Sequence, residues 1–354
     1  MQRREFLAST SLAGAVAIAG CNSLFETESV RSVPDVVEDR PDAVYFPTHV
    51  EGMEMIGMTA AGDYTIGLMY SFPHRFWTVT GTTTEKVSIR DKDDIHLMAS
   101  VWDDETGTVL PVGSGLSMTV EQDGEIVTEK PPWPMISQNM GFHYGDNFAL
   151  DGEGTYDVTL DIGSMNVSKP GPFEGRFEES ASGTVEFEYS VDERDGLRFE
   201  TFENQQGERG AVDLMEMEMA PVSVAPEPDA MPGDHLTEAT SGDAVFQVTA
   251  VRDPSFIDGS GTYLAVSPRT PFNRVPLPMM SLSGTVERGG EPRFDGALSK
   301  AVHPDIGYHY GALLDGIESD DAVTITVDTP PQVSRHEGYE TAFVEMDPIE
   351  FTVS

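Results

Sequence analysis

The chain has 354 residues, with 61 acidic against 21 basic side chains and a formal net charge of -40. That balance excludes nucleic acid and anionic membrane surfaces as partners, because phosphate contacts need Lys and Arg; it suits a protein working in very high salt, where charge repulsion is screened. The single cysteine, Cys21, excludes a disulfide within the chain.

At the N-terminus, Arg3-Arg4-Glu5-Phe6-Leu7 is a twin-arginine signature. A weakly apolar run over 12–20 ends in Ile18-Ala19-Gly20-Cys21, which reads as a lipobox. Residues 1–20 are therefore expected to be a lipoprotein signal peptide exported by the twin-arginine route. Cleavage would leave lipid on Cys21 and anchor the protein to the outer face of the cell membrane. No later stretch is apolar and long enough to span a bilayer. Residues 21–43, acidic and without periodicity, read as a flexible tether.

From residue 44 onward the pattern is β-like. Period-two runs occur over 63–70, 95–102 and 183–189, separated by Gly, Pro and Asp clusters. Many short strands of this kind predict an all-β chain of sandwiches or barrels. A repeat sharpens the reading. Phe142-His143-Tyr144-Gly145 returns as Tyr308-His309-Tyr310-Gly311, and each copy is followed by Leu-Asp-Gly. Val120-Glu121 and Val286-Glu287 open stretches of equal length that end at these glycines, and downstream Tyr156 falls on Val323. Self-similarity over this length marks a duplicated domain. Two tandem β-sandwich modules are expected, at 44–192 and 241–354, joined by a Met/Pro-rich connector over 193–240. In the connector, Met215, Met217 and Met219 would share a strand face. Thioether stripes of this kind can relay copper, but more often pack a core, and Met53, Met55 and Met58 read the same way.

The chemistry gathers in the first module. His96 and Met98 stand two apart on the 95–102 strand and so share a face. Met135 and His143 are read as lying on one loop that could meet that strand. Two imidazoles and two thioethers would then converge on a soft transition metal, copper ahead of ferrous iron unless geometry intervenes. His49, His74 and His235 have no partner pattern and read as surface or turn residues. Trp77, Trp102 and Trp133 read as core or site walls. No nucleophile elbow, phosphate loop or zinc-protease helix is present, so no enzyme activity is expected. The absence of a second cysteine rules out the usual blue-copper electron-transfer site.

The residues Asp94-Ile95-His96-Leu97, Pro134-Met135, His143-Tyr144-Gly145 and Gly152-Glu153-Gly154-Thr155-Tyr156-Asp157-Val158 resemble the periplasmic iron-transport proteins. These are immunoglobulin-like sandwiches that bind copper or iron and accompany high-affinity iron permeases. The resemblance implies metal binding by His96, Met135 and His143. It departs at Met98, where the family usually has Glu, and in spacing, so that Met140 could stand in for Met135. The family's further late-loop histidine is missing from 165–173. The second module has Tyr263, Ala265 and Ala301 in place of His96, Met98 and Met135, but Pro330-Pro331-Gln332-Val333-Ser334-Arg335-His336 resembles the late loop. The modules are accordingly expected to form an intrachain pseudo-dimer in which His336 completes the first module's site. The alternative is a separate weak site of His303, His309 and His336, with His309 otherwise capping a loop by donating to a carbonyl.

The expected function is a lipid-anchored, extracytoplasmic carrier that hands copper or iron to an iron permease; the alternative is a structural or adhesive double sandwich whose metal site has decayed. The charge balance makes its own prediction. Dialysis from molar salt to dilute buffer should unfold the protein, followed by circular dichroism, and a melting temperature that ignores salt would overturn the reading.

Overall fold

Residues 33–354, apart from 112, 114 and 218, are described by the computed structural model of the chain. The signal peptide and Cys21 lie outside the described residues. The alternating runs form strands where the pattern puts them, at Tyr64–Ser71, Ile95–Trp102 and Ala181–Tyr189. The fold is all β, in two sandwiches of the same strand order.

In the first, Glu54–Ala61, Tyr64–Ser71, Ile95–Trp102, Gly141–Phe148 and Trp133–Ser137 pair in that order, all antiparallel. A four-stranded sheet faces them, in the order Ala181–Tyr189, Gly154–Ile162, Ser117–Gln122, Glu125–Lys130. Ile66, Leu68, Leu97 and Tyr144 share one buried cluster with Val120, Tyr156, Val158 and Leu160 from the facing sheet. In the second half, Asp234–Ser241, Ala244–Arg252, Thr262–Arg269 and Gly307–Leu314 repeat the first four strands. Ser281–Arg288, Ala322–Thr329 and Ile349–Thr352 repeat three strands of the facing sheet. The 13-residue strand Glu291–His303 runs from one group into the other. Its counterpart in the first half is cut in two by Pro131-Pro132, which cannot donate to a ladder.

The duplication is legible in register. Met98 faces Gly145 as Ala265 faces Gly311, and Met135 faces His143 as Ala301 faces His309. Val120 lies opposite Val158, and Val286 opposite Val323, so strand pairing matches Val323 with Val158 rather than with Tyr156.

Several expectations change. Residues 34–43 are docked rather than free: the Pro34 carbonyl accepts from Arg75 at 2.5 Å and Arg40 pairs with Glu340 at 3.1 Å. Strand Asp234–Ser241 starts inside the segment read as connector, and Phe199–Thr201, also there, pairs with His49–Glu51. Met215, Met217 and Met219 are not on a strand, because the segment bonds to no sheet edge; Met219 is exposed, as is Met58. Trp77 and Trp102 are buried, whereas Trp133 is exposed.

The two halves exchange their late loops. From the second half, Ser334–Arg335 lies parallel to Trp133–Ser137, with Ser334 opposite Met135, and antiparallel to Phe76–Thr80. From the first half, Ser168 bridges in parallel to Ala301, with the Ser168 N–H donating to the Lys300 carbonyl at 2.9 Å. Pro34–Ser354 is accordingly one compact unit.

Arg335 locks the incoming loop. Its side chain is fully buried and donates to the carbonyls of Pro331, Ala342 and Phe343. Burial pulls its guanidinium down to about 9. Arg335→Met keeps much of the volume and strands three buried carbonyls, each costing about 1–3 kcal/mol. A melting temperature several degrees lower at fixed salt is expected, and a superimposable melt would show that the loop is held by other contacts.

Candidate metal centre

Ile95–Trp102 is buried at every position, so both faces of this strand are covered. Its odd residues, Ile95, Leu97, Ala99 and Val101, enter the sandwich core. Its even residues, His96 and Met98, point to the opposite face, which in a lone antiparallel sandwich would meet water. Here the second half's loop joins the same sheet beside Trp133–Ser137 and brings in His336, whose N–H is bonded to the Ile136 carbonyl at 3.1 Å.

Four imidazoles meet there. Ring centroids are 3.9 Å apart for His74 and His96, 4.6 Å for His74 and His336, 5.7 Å for His96 and His336, and 5.1 Å for His143 and His336. One ligand nitrogen each of His74, His96 and His336 lie within 4.8 Å of one another. Thioethers close the other side. A Cβ built on Gly145 would sit 2.6 Å from His96 Nε2, 3.1 Å from Met135 Sδ and 3.3 Å from Met98 Cγ. The bare backbone of Gly145 thus lets imidazole and sulfur close in together where any side chain would collide with them.

Tautomers follow from the acceptors around the rings. Asn147 Oδ1 accepts from the His74 N–H at 3.2 Å while its Nδ2 donates to the His74 carbonyl at 2.8 Å. His96 Nδ1, 2.8 Å from that same oxygen, must therefore donate. His143 Nδ1 faces the Gly141 carbonyl at 3.1 Å. His74 Nδ1 faces Glu51 Oε2 at 2.9 Å and the Phe72 carbonyl at 3.1 Å. All three rings donate through Nδ1 and turn an Nε2 lone pair inward, the arrangement that orients a metal-bound histidine. The Nε2 atoms of His74, His96, His143 and His336 are all buried without a hydrogen-bond partner. Each such atom costs about 1–3 kcal/mol unless something binds it.

Burial is the main reason His96, His143 and His336 stay neutral. It holds His143 down to about 4 and His96 and His336 well below the ordinary imidazole value, with neighbouring histidines adding to the effect. Neutral imidazole is the form that binds metal. Glu51 is the nearby carboxylate. Burial pushes it up, but His74 and His49 outweigh burial and hold it below its ordinary value. A cleft of about 70 Å³, lined by Glu51, His74, Met98 and His336 among others, leads from this cluster toward solvent.

His96, Met98, Met135, His143 and His336 are thus brought together. His143 and Met135 reach the site from paired strands, Gly141–Phe148 and Trp133–Ser137, not from one loop, because Gly141 at φ +72° turns a hairpin between them. The reading of His74 as a surface or turn residue is corrected: its turn is buried by Asn147 and Glu51. His235 is exposed, as expected.

The second half holds no equivalent cluster among the described residues. Tyr263 hydroxyl lies 3.0 Å from His309 Nε2, and His309 Nδ1 faces the Gly307 carbonyl at 2.9 Å. Both nitrogens of His309 are thereby satisfied, and His336 belongs to the first half's site, so the separate site of His303, His309 and His336 does not form.

Residues 83–192 match the family described as Fe2+ transport protein, the family that the sequence resembles, and residues 229–352 match a domain of unknown function, DUF7350. No curated protein matches the chain. A copper-bound variant of FetP from uropathogenic Escherichia coli is 21% identical with a TM-score of 0.28, covering 39% of this chain and 97% of that one. FetP as isolated gives 22% and 0.27, covering 40% and 95%. The family match takes in His96, Met98, Met135 and His143 and leaves out Glu51, His74 and His336.

Gly145→Ala tests the site without replacing a donor, by pressing a methyl against His96 Nε2 and Met135 Sδ. The added methyl should lower Cu(II) affinity by roughly tenfold or more, as perturbing a metal's surroundings commonly does, while the unloaded protein keeps its circular dichroism spectrum. Unchanged affinity would place the ion elsewhere.

Proposed function

We propose that this chain, which carries the Fe2+ transport family's match in its first half, is an extracytoplasmic metal-binding protein of iron transport. It holds one copper or iron ion between His96, Met135, His143 and His336, with Met98 and His74 beside them, and delivers it to a membrane iron permease. The observation that carries the reading is the set of four buried Nε2 atoms with no partner, three of them with the tautomer dictated by their surroundings. Imidazole and thioether together suit copper, and Irving–Williams affinity favours it over ferrous iron. The Glu51 carboxylate supplies a negative charge close to a dication.

The ion is cargo, not a fixed cofactor. Delivery needs a site that loads tightly and also unloads, and the cleft beside His74 and His336 offers the ion a path to solvent. Lipid on Cys21, after twin-arginine export, would keep the carrier next to a permease at the membrane. The exchanged late loops make the chain an intrachain pseudo-dimer: each half lends its loop to the other, and only the loop of the second half brings a histidine. The structural or adhesive alternative describes the second half alone, where Tyr263 closes the site by bonding His309.

Cu(II) titration followed by visible absorbance tests both the site and its completion. Wild type should saturate at one equivalent, and His143→Ala and His336→Ala should each bind roughly tenfold more weakly or worse. A His336→Ala curve identical to wild type would refute completion by the second half. A featureless titration in all three proteins would refute the site.

A further inference from the structure

We propose that the cleft beside the histidines carries a second station, selective for Cu(I) and built from the thioethers of Met53, Met98 and Met140. This goes beyond the histidine site, where Met135 Sδ and the Met98 side chain stand beside His96 at Gly145. All three methionines line the cleft of about 70 Å³ that also reaches His74 and His336. Met98 and Met140 are each 2% exposed and form a cluster with Met69, against which Met53, Met55 and Met217 pack. Met55, Met69, Met98 and Gly145 are successive cross-strand partners, so a row of sulfur side chains runs across the outer sheet face and ends at the histidine site.

Methionine commonly fills irregular core space, but this scaffold does not need it here. At the matching places the second half has Thr249 for Met69, Ala265 for Met98 and Ile306, before Gly307, for Met140, before Gly141. The sulfur row is present only in the half that has the histidines. Nor do these methionines pack a sealed interior, since Met98 of the row and its neighbours Met53 and Met140 face a cleft. Neutral thioethers are soft donors that select Cu(I) and offer little to Fe(II) or Zn(II). The imidazole cluster accepts a wider range of ions. The two stations therefore differ in what they take: the sulfur station holds the monovalent soft ion, and the histidine station holds the divalent one. Met98, whose side chain stands beside Gly145 and also lines the cleft, joins them.

Ag(I), a redox-inert probe with the preferences of Cu(I), tests this on the full chain in chloride-free sodium sulfate brine. With methionine methyls labelled by carbon-13, Ag(I) should shift the resonances of Met53, Met98 and Met140. The same shifts should persist in His96→Ala/His143→Ala, which disables the imidazole site. Met53→Leu/Met140→Leu preserves volume and apolarity. It should abolish the shift at Met98 in the His96→Ala/His143→Ala background and, with the histidines intact, leave the Cu(II) titration at its wild-type value. The proposal is overturned if Ag(I) moves Met135 but neither Met53 nor Met140. It is equally overturned if the double leucine variant in the histidine-free background binds Ag(I) as tightly as its parent. Because Cu(II) is read in parallel, loss of the histidine site and loss of the sulfur station give different results.

Discussion

The structure depends on one short pairing: Ser334–Arg335 laid parallel to Trp133–Ser137. An antiparallel sandwich ordinarily buries one face of each sheet and leaves the other to water. Here the second half's loop enters the first half's sheet as a strand and sets His336 against His74, His96 and His143, all three of them buried. Everything about the metal centre follows from the burial. Without it His96 would be an ordinary surface imidazole, hydrogen-bonded to water and titrating near its usual value. Arg335 fastens the incoming loop: its two terminal nitrogens donate to carbonyls of that same loop, which offsets part of the cost of burying a guanidinium.

The two halves use the same scaffold for opposite ends. In the first, Gly145 has no side chain, so His96 Nε2, Met135 Sδ and Met98 draw together beside it. In the second, a Cβ added to Gly311 would meet the Tyr263 hydroxyl at 2.2 Å, so the equivalent place is taken by a phenol. That phenol also satisfies His309. A histidine with both nitrogens bonded is a structural element; one with an orphaned Nε2 needs a ligand to offset its burial. The distinction is a matter of hydrogen-bond accounting rather than of residue type. It also separates His143 from His309, which occupy equivalent places and both bond a carbonyl two residues back through Nδ1.

The β class, the duplication and the shared face of His96 and Met98 were legible in the sequence because each rests on local spacing. Alternation gives a strand, His96 and Met98 two apart give a shared face, and the His-Tyr-Gly echo gives equivalent positions. His336 was reachable through its resemblance to the family's late loop. His74 and Glu51 were not, because each stands on its own piece of chain with no spacing to connect them. They meet only when Asn147 clamps the His74 turn and the short strand His49–Glu51 folds beside it. The strand character of Met135 and His143 was missed for a related reason: the Pro-rich approach and Gly141 read as loop signals, whereas here they form the entry and the turn of a hairpin.

By itself, then, the sequence determined what is periodic or repeated: the strands, the two halves, the acidic surface and the supply of soft donors. Tertiary structure alone decided which of these side chains face one another and which histidine nitrogens are left without partners. The physical reason is range. Strand periodicity is set by the residues beside each position, but a metal site is set by desolvation and by lone-pair direction, and both come from groups that chain folding brings in from hundreds of residues away.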